Sequence, residues 1–202
     1  MKRLKEQPRF LRGKILSLKD MKITNLDLCI LSPLFFLNLS LIHLQIDSGV
    51  FTGDGLQKMS QICRYLQHFK DITYSCHSLD LTNCAHLREE EGLVALLDTN
   101  KFKDVYTLNL SGSCFSESRG NVLIRKINSG MLVDSLNLSS TQISPSLPIK
   151  SQLLIELNIS HNNLTPFFLI ETVHACTALE EINLDGTTKA ERDNESPEKS
   201  ES

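Results

Sequence analysis

Cys76, His77, Cys84 and His86, together with His174 beside Cys176, are the groups in this chain whose types could hold a metal ion. Zinc sites usually pair their ligands at short spacings such as C-x-x-C, and none occurs here, so core thiols and surface imidazoles account for the set. There is no G-x-S-x-G, no H-E-x-x-H and no phosphate-cradling glycine loop, hence no constellation for nucleophilic, metal-assisted or phosphoryl chemistry. The expectation is a non-enzymatic chain with no cofactor and no metal. The polar residues with a regular spacing are of another kind: Asp47, Asp80, Asn109, Asn137, Glu156, Asn158, Glu181, Asn183 and Asp185 each stand at a fixed offset from a leucine or isoleucine. Carboxylates and amides repeated in that way suit recognition of a partner rather than catalysis.

The frame that fixes those offsets is clearest at Leu154-Ile155-Glu156-Leu157-Asn158-Ile159-Ser160-His161-Asn162-Asn163-Leu164. Alternate side chains of an extended strand face opposite sides, so Leu157 and Ile159 point one way and Glu156, Asn158 and Ser160 the other. Asn162 suits a short polar side chain that bonds backbone groups where the chain leaves the strand. The frame recurs around the marker residues Leu16, Leu44, Leu79, Leu108, Leu136, Leu157 and Ile182, at intervals of 28, 35, 29, 28, 21 and 25 residues. One unit cannot cover its own apolar face; stacked units can.

These motifs resemble the leucine-rich-repeat superfamily, nearest its ribonuclease-inhibitor-like and cysteine-containing subclasses. Phe51-Thr52-Gly53-Asp54-Gly55-Leu56 with Met59 and Ile62-Cys63 is similar to the cysteine-containing repeat; Cys84-Ala85-His86-Leu87 with Gly92-Leu93, and Cys176-x-x-Leu179, resemble it again. The resemblance spans residues 11–187. It implies an α/β solenoid with a curved, parallel inner sheet of about seven short strands, and helices and loops on the convex side. It also implies a protein-interaction module, similar to the substrate-recognition subunits of cullin-type ubiquitin ligases that carry an F-box and leucine-rich repeats. Residues 1–15 are too short for an F-box and contain no adaptor-binding box. A regulatory scaffold that binds a cytoskeletal, phosphatase or GTPase partner directly is the competing expectation, and RNA binding through the basic amino terminus a third.

Composition bounds the setting. The 202 residues are 41% hydrophobic, enough for one continuous core, and the net charge of −3 speaks neither for nor against nucleic acid. Residues 1–22 hold eight Lys or Arg against Glu6 and Asp20, while the tail after Thr188 is rich in Glu and Ser. The basic start leads into no apolar h-region, so the six cysteines read as reduced thiols in the cytoplasm or nucleus. Residues 26–46 are apolar, but Asp27, Pro33, Asn38, Ser40, His43 and Gln45 would be costly in hydrocarbon, so no membrane span is expected. The Asn-x-Ser pattern at Asn38, Asn109, Asn137 and Asn158 follows from strand alternation and reads as no glycosylation.

The returns between strands complete the expectation. Residues 25–36 form a convex segment interrupted by Pro33. Leu56, Met59, Ile62 and Leu66 mark an inward helix face, as do Leu93, Leu96 and Leu97, and then Leu123, Ile127 and Met131. An inserted loop takes residues 67–74. Pro145 and Pro148 forbid a regular helix, and Thr165-Pro166 opens one in which Leu169, Val173 and Cys176 face inward. The repeat domain covers 1–187, and 188–202 form a disordered acidic, Ser-rich tail. The outward residues read either as polar filler or as a concave face for a protein presenting Lys or Arg; no nucleic-acid or membrane partner is expected.

Overall fold

The computed structural model describes residues 15–37, 41–67, 76–84, 91–99, 102–113, 115 and 120–189. Strands β1 (Ile15–Ser17), β2 (His43–Gln45), β3 (Ser78–Asp80), β4 (Thr107–Asn109), β5 (Ser135–Asn137), β6 (Glu156–Asn158) and β8 (Glu181–Asn183) form one parallel sheet of seven strands in chain order. Its register aligns the seven markers: Leu16 pairs with Leu44, then Leu79, Leu108, Leu136, Leu157 and Ile182 in succession. The chain thus advances one strand per coil. A hydrophobic spacing found in the sequence becomes a straight row of stacked side chains.

Five helices lie among the described returns: α1 (Asn25–Leu37), α2 (Gly53–Gln67), α3 (Glu91–Leu97), α4 (Gly120–Asn128) and α5 (Pro166–Ala175). A single apolar cluster joins their inward residues to the sheet, with Leu44, Leu79 and Leu108 fully buried beneath Met59, Leu93 and Leu123. Gly92 has a packing reason: a Cβ there would come within 2.0 Å of the Gly53 carbonyl, so α3 and α2 can sit side by side only without one.

Several returns differ from the sequence expectation. Pro33 does not interrupt α1 but lies inside it. The Cys29 carbonyl loses its usual N–H donor there, but the Ser32 hydroxyl donates to the neighbouring Leu28 carbonyl and buried Phe35 and Leu28 anchor the helix on both sides. On α2 the inward row continues through Cys63 rather than Ile62, which is half-buried. The insertion expected at 67–74 lies, beyond Gln67, outside the described residues.

After β5 the chain does return as an extended loop. Asn121 accepts the N–H groups of Ser146 and Leu147, and Asn128 accepts that of Lys150 while donating to the Pro148 carbonyl. Two asparagines of α4 therefore supply the partners that a helix would have provided for itself. The loop also resets the phase of α5. Thr165 caps it by accepting the Phe168 N–H, Pro166 occupies its first position, and the inward face is Phe168, Thr172 and Cys176. Leu169 is only partly buried and Val173 is 49% exposed, contrary to expectation. Thr172 is chosen because its hydroxyl accepts the otherwise unpaired Ile149 N–H.

Each coil leaves its strand through a left-handed residue four positions after the marker: Asp20, Ser48, Asn83, Gly112, Ser140, His161 and Gly186, with φ between 55° and 67°; Gln142 adds a second at φ 59° in the fifth coil. Beyond the last two turns, β7 (Asn163–Leu164) and β9 (Thr188–Lys189) pair in parallel, which brings two residues of the expected tail into the fold. Among the described residues no helix is long and apolar enough to cross a membrane.

Candidate functional site

The candidate site is the face of the sheet turned away from the helices. Three polar rows cross it, set one residue before each marker and one and three residues after it. Period-two alternation puts them there, because the marker itself points into the core.

The row one residue after the marker carries Asn109, Asn137, Asn158 and Asn183, and it has a structural task. Each side-chain oxygen accepts the N–H of the residue two ahead, at 3.1, 3.0, 3.1 and 2.9 Å. Asp80 does the same for Thr82 at 3.0 Å. This local turn steers the chain into the left-handed residue that follows. The asparagine ladder is thus more than filler: its oxygens hold the turns, while its NH2 groups find no acceptor among the described residues.

Two of the candidate acids are also engaged. Asp80 accepts from Gln45, and Gln45 accepts from Ser17, so one chain of hydrogen bonds ties the first three strands together at 3.2 and 2.7 Å. Asp47 is only 8% exposed and receives the Ser48 hydroxyl and the Asn83 amide.

The other three acids face solvent. Glu156 accepts the Ser135 hydroxyl at 2.9 Å, and Glu181 and Asp185 are exposed. Glu156 and Glu181 are direct cross-strand partners, which brings like charges to about 5 Å at the Cα atoms, an arrangement unfavourable in isolation. A cleft of about 260 Å³ lies over them, lined by Ser135, Asn137, Glu156, Asn158, Glu181 and Asn183, with no Lys or Arg on its walls. Such a cleft can accept an ammonium or guanidinium group, whose N–H donors would meet carboxylates on two adjacent coils.

Among the described residues the cysteines and histidines are not brought together into a comparable centre. Cys76, Cys84 and Cys176 are buried, and each thiol lies against a carbonyl of the preceding coil: Ile42 at 3.1 Å, Ile46 at 3.3 Å and Ile149 at 3.5 Å. Burial pushes the Cys84 thiol up to about 12, with the charges of Asp47 and Asp80 adding to the effect, and burial also raises Cys176. Cys84 and Cys176 are therefore protonated donors inside the core. His77 packs edge-on against Tyr106, with ring centroids 5.1 Å apart; His174 is exposed, and His86 lies outside the described residues. Among the described residues no three of His, Cys, Asp or Glu are grouped to hold a metal.

A further row is hidden, five residues after the markers Leu79, Leu108, Leu136 and Leu157: Cys84, Ser113, Thr141 and Asn162. Asn162 is buried; it accepts the N–H groups of Thr141 and Ile143 and donates to the carbonyls of Leu138, Ile159 and Ser160. Ser113 repeats the pattern in an earlier coil, donating to Leu81 and accepting from Cys84, and the Thr141 hydroxyl donates to Leu138. Sequence reasoning picks out Asn162 and Cys84 and misses Ser113 and Thr141. Their common offset from the marker is the signal that could have found them. Compared with known protein families and with curated proteins, the chain matches no family model and no curated relative.

Proposed function

We propose that this chain is a leucine-rich-repeat solenoid that works as a non-enzymatic protein-interaction module, and that the last three strands of its open face hold a lysine- or arginine-bearing segment of another protein. The observation that carries this reading is the pairing of Glu156 with Glu181 in a cleft without basic residues. Like charges placed side by side at the surface are relieved when a cation joins them. The seven aligned markers and the row of short polar side chains support the repeat assignment. Within that class, a substrate-recognition subunit of a cullin-type ubiquitin ligase in the cytoplasm or nucleus is the finer reading. The alternative is a regulatory scaffold that binds a cytoskeletal, phosphatase or GTPase partner directly.

Affinity purification of the wild-type chain and of a Glu156→Lys, Asp185→Lys variant, each followed by mass spectrometry, tests both levels. A partner captured by the wild type and lost from the variant, and bearing a Lys- or Arg-rich contact segment, supports the reading. Equal capture by both forms overturns the acidic-face assignment. Cullin adaptors in the wild-type capture favour the ligase role, and a single regulatory partner the scaffold.

A further inference from the structure

Among the described residues the inner coils have their apolar side chains covered from both sides, and the two outer coils do not. Two residues after the marker stand Ile46, Leu81, Leu110, Leu138 and Ile159, all buried. Leu184 holds that place in the last coil and is 36% exposed, while Leu18 in the first is only partly buried. At the last-coil end Val173, Leu179 and Ile182 line an open groove of about 430 Å³. At the first-coil end α1 exposes Leu26, Ile30 and Leu34, spaced four residues apart along one face and 67%, 62% and 59% accessible. Residues 190–202 offer no apolar side chain larger than Ala190 and Pro197, so they do not suit an apolar groove.

The backbone has a matching deficit. In each inner coil the N–H groups two and four residues after the marker donate to the next coil, as Ile159 does to Asn183 and His161 to Asp185 at 3.1 and 2.8 Å. The corresponding N–H groups of the last coil, those of Leu184 and Gly186, find no carbonyl among the described residues. Charge leans the same way: Lys19 and Lys22 are exposed in the first coil beside Asp20, and Glu180, Glu181 and Asp185 in the last.

We propose that the first coil of a second copy of this chain stacks on the last coil, continuing the sheet from β8 into the copy's β1 in the register already present. Leu16 of the copy then extends the marker row beyond Ile182. The carbonyls of its Ser17 and Lys19 receive the Leu184 and Gly186 N–H groups, and its Lys19 side chain enters the row of Asp185. The apolar face of its α1 closes the groove at Val173. This contact is head-to-tail and leaves a free end on each copy, so it grows with concentration rather than closing at two.

Sedimentation of the full chain over a wide concentration range tests this. The expected result is a mass that rises with concentration and falls with added salt. Ile30→Asp and Val173→Asp should each be monomeric alone, and an equimolar mixture of the two should form a dimer that grows no further, because one intact end of each kind remains. Leu34→Asp and Ile182→Lys repeat the experiment if circular dichroism shows either variant unfolded. A wild type that stays monomeric, a mixture that does not pair, or a single variant that still dimerises overturns the proposal. So does hydrogen-exchange protection of residues 1–14 in the monomer, since the first-coil face would then be covered by the chain itself. The substituted side chains lie outside the acidic cleft, so failure here leaves the partner-binding reading untouched.

Discussion

Strands β1 to β3 and strands β6 and β8 use the outward face of one sheet for opposite purposes. In the first group Ser17, Gln45 and Asp80 are joined side chain to side chain across three coils, and Asp47 is buried against its own turn. In the second, Glu156, Glu181 and Asp185 stand at the surface, with only the Ser135 hydroxyl as a described side-chain partner. An outward carboxylate on this sheet is therefore not by itself a recognition group. What decides is the whole set of neighbours: Asp80 is held by Gln45 on the adjacent coil and by the Thr82 N–H of its own turn, whereas Glu156 has the Ser135 hydroxyl on one side and another glutamate on the other.

That contrast can be broken or sharpened by substitution. The largest effect is expected at Asn162, where alanine strands several buried backbone groups at once; the loss should be about 3–5 kcal/mol by urea unfolding. A loss under about 1 kcal/mol would mean that the hidden row is dispensable and that the fold depends on leucine packing alone. Asp80→Ala should cost about 1–2 kcal/mol, since it removes a turn lock and an inter-coil bond together, and should leave the affinity for a lysine-rich peptide unchanged. Glu181→Gln should do the reverse. Its stability should stay within about 0.5 kcal/mol of wild type, while peptide affinity measured by fluorescence anisotropy falls about three- to tenfold. If Asp80→Ala and Glu181→Gln weaken the peptide equally, the two halves of the face are functionally alike. The smallest change is expected from Ser140→Gly, a gain of about 0.5 kcal/mol in thermal unfolding, because serine carries the cost of φ 55° at that turn.

The marker row is legible in the sequence because a buried strand position leaves little choice beyond Leu or Ile, and stacked strands of one sheet repeat that choice at a constant offset from their turns. The acidic candidates are legible as a column, but their division into engaged and exposed members is not. Whether Asp80 is held depends on Gln45, which is 35 residues away in the sequence. The phase of α5 fails for a similar reason. Leu169 and Val173 are the apolar choice, yet Thr172 turns inward to satisfy Ile149, a donor freed by two prolines in the previous return. The left-handed turns are hidden by their variety, since only Gly112 and Gly186 among the seven are glycines. The β7–β9 pair is too short for any periodicity to announce it.

The turn that ends every strand has one further consequence. Because each coil makes it at the same offset, successive markers can lie as few as 21 or as many as 35 residues apart without displacing the next strand. The inner surface behaves as a fixed hub and the outer spans as interchangeable spokes. A foreign segment grafted between Ser129 and Gly130, which are exposed with open space around Gly130, would therefore ride on the outside of the molecule while the acidic cleft kept its shape, and variation over generations could remodel one surface without retuning the other.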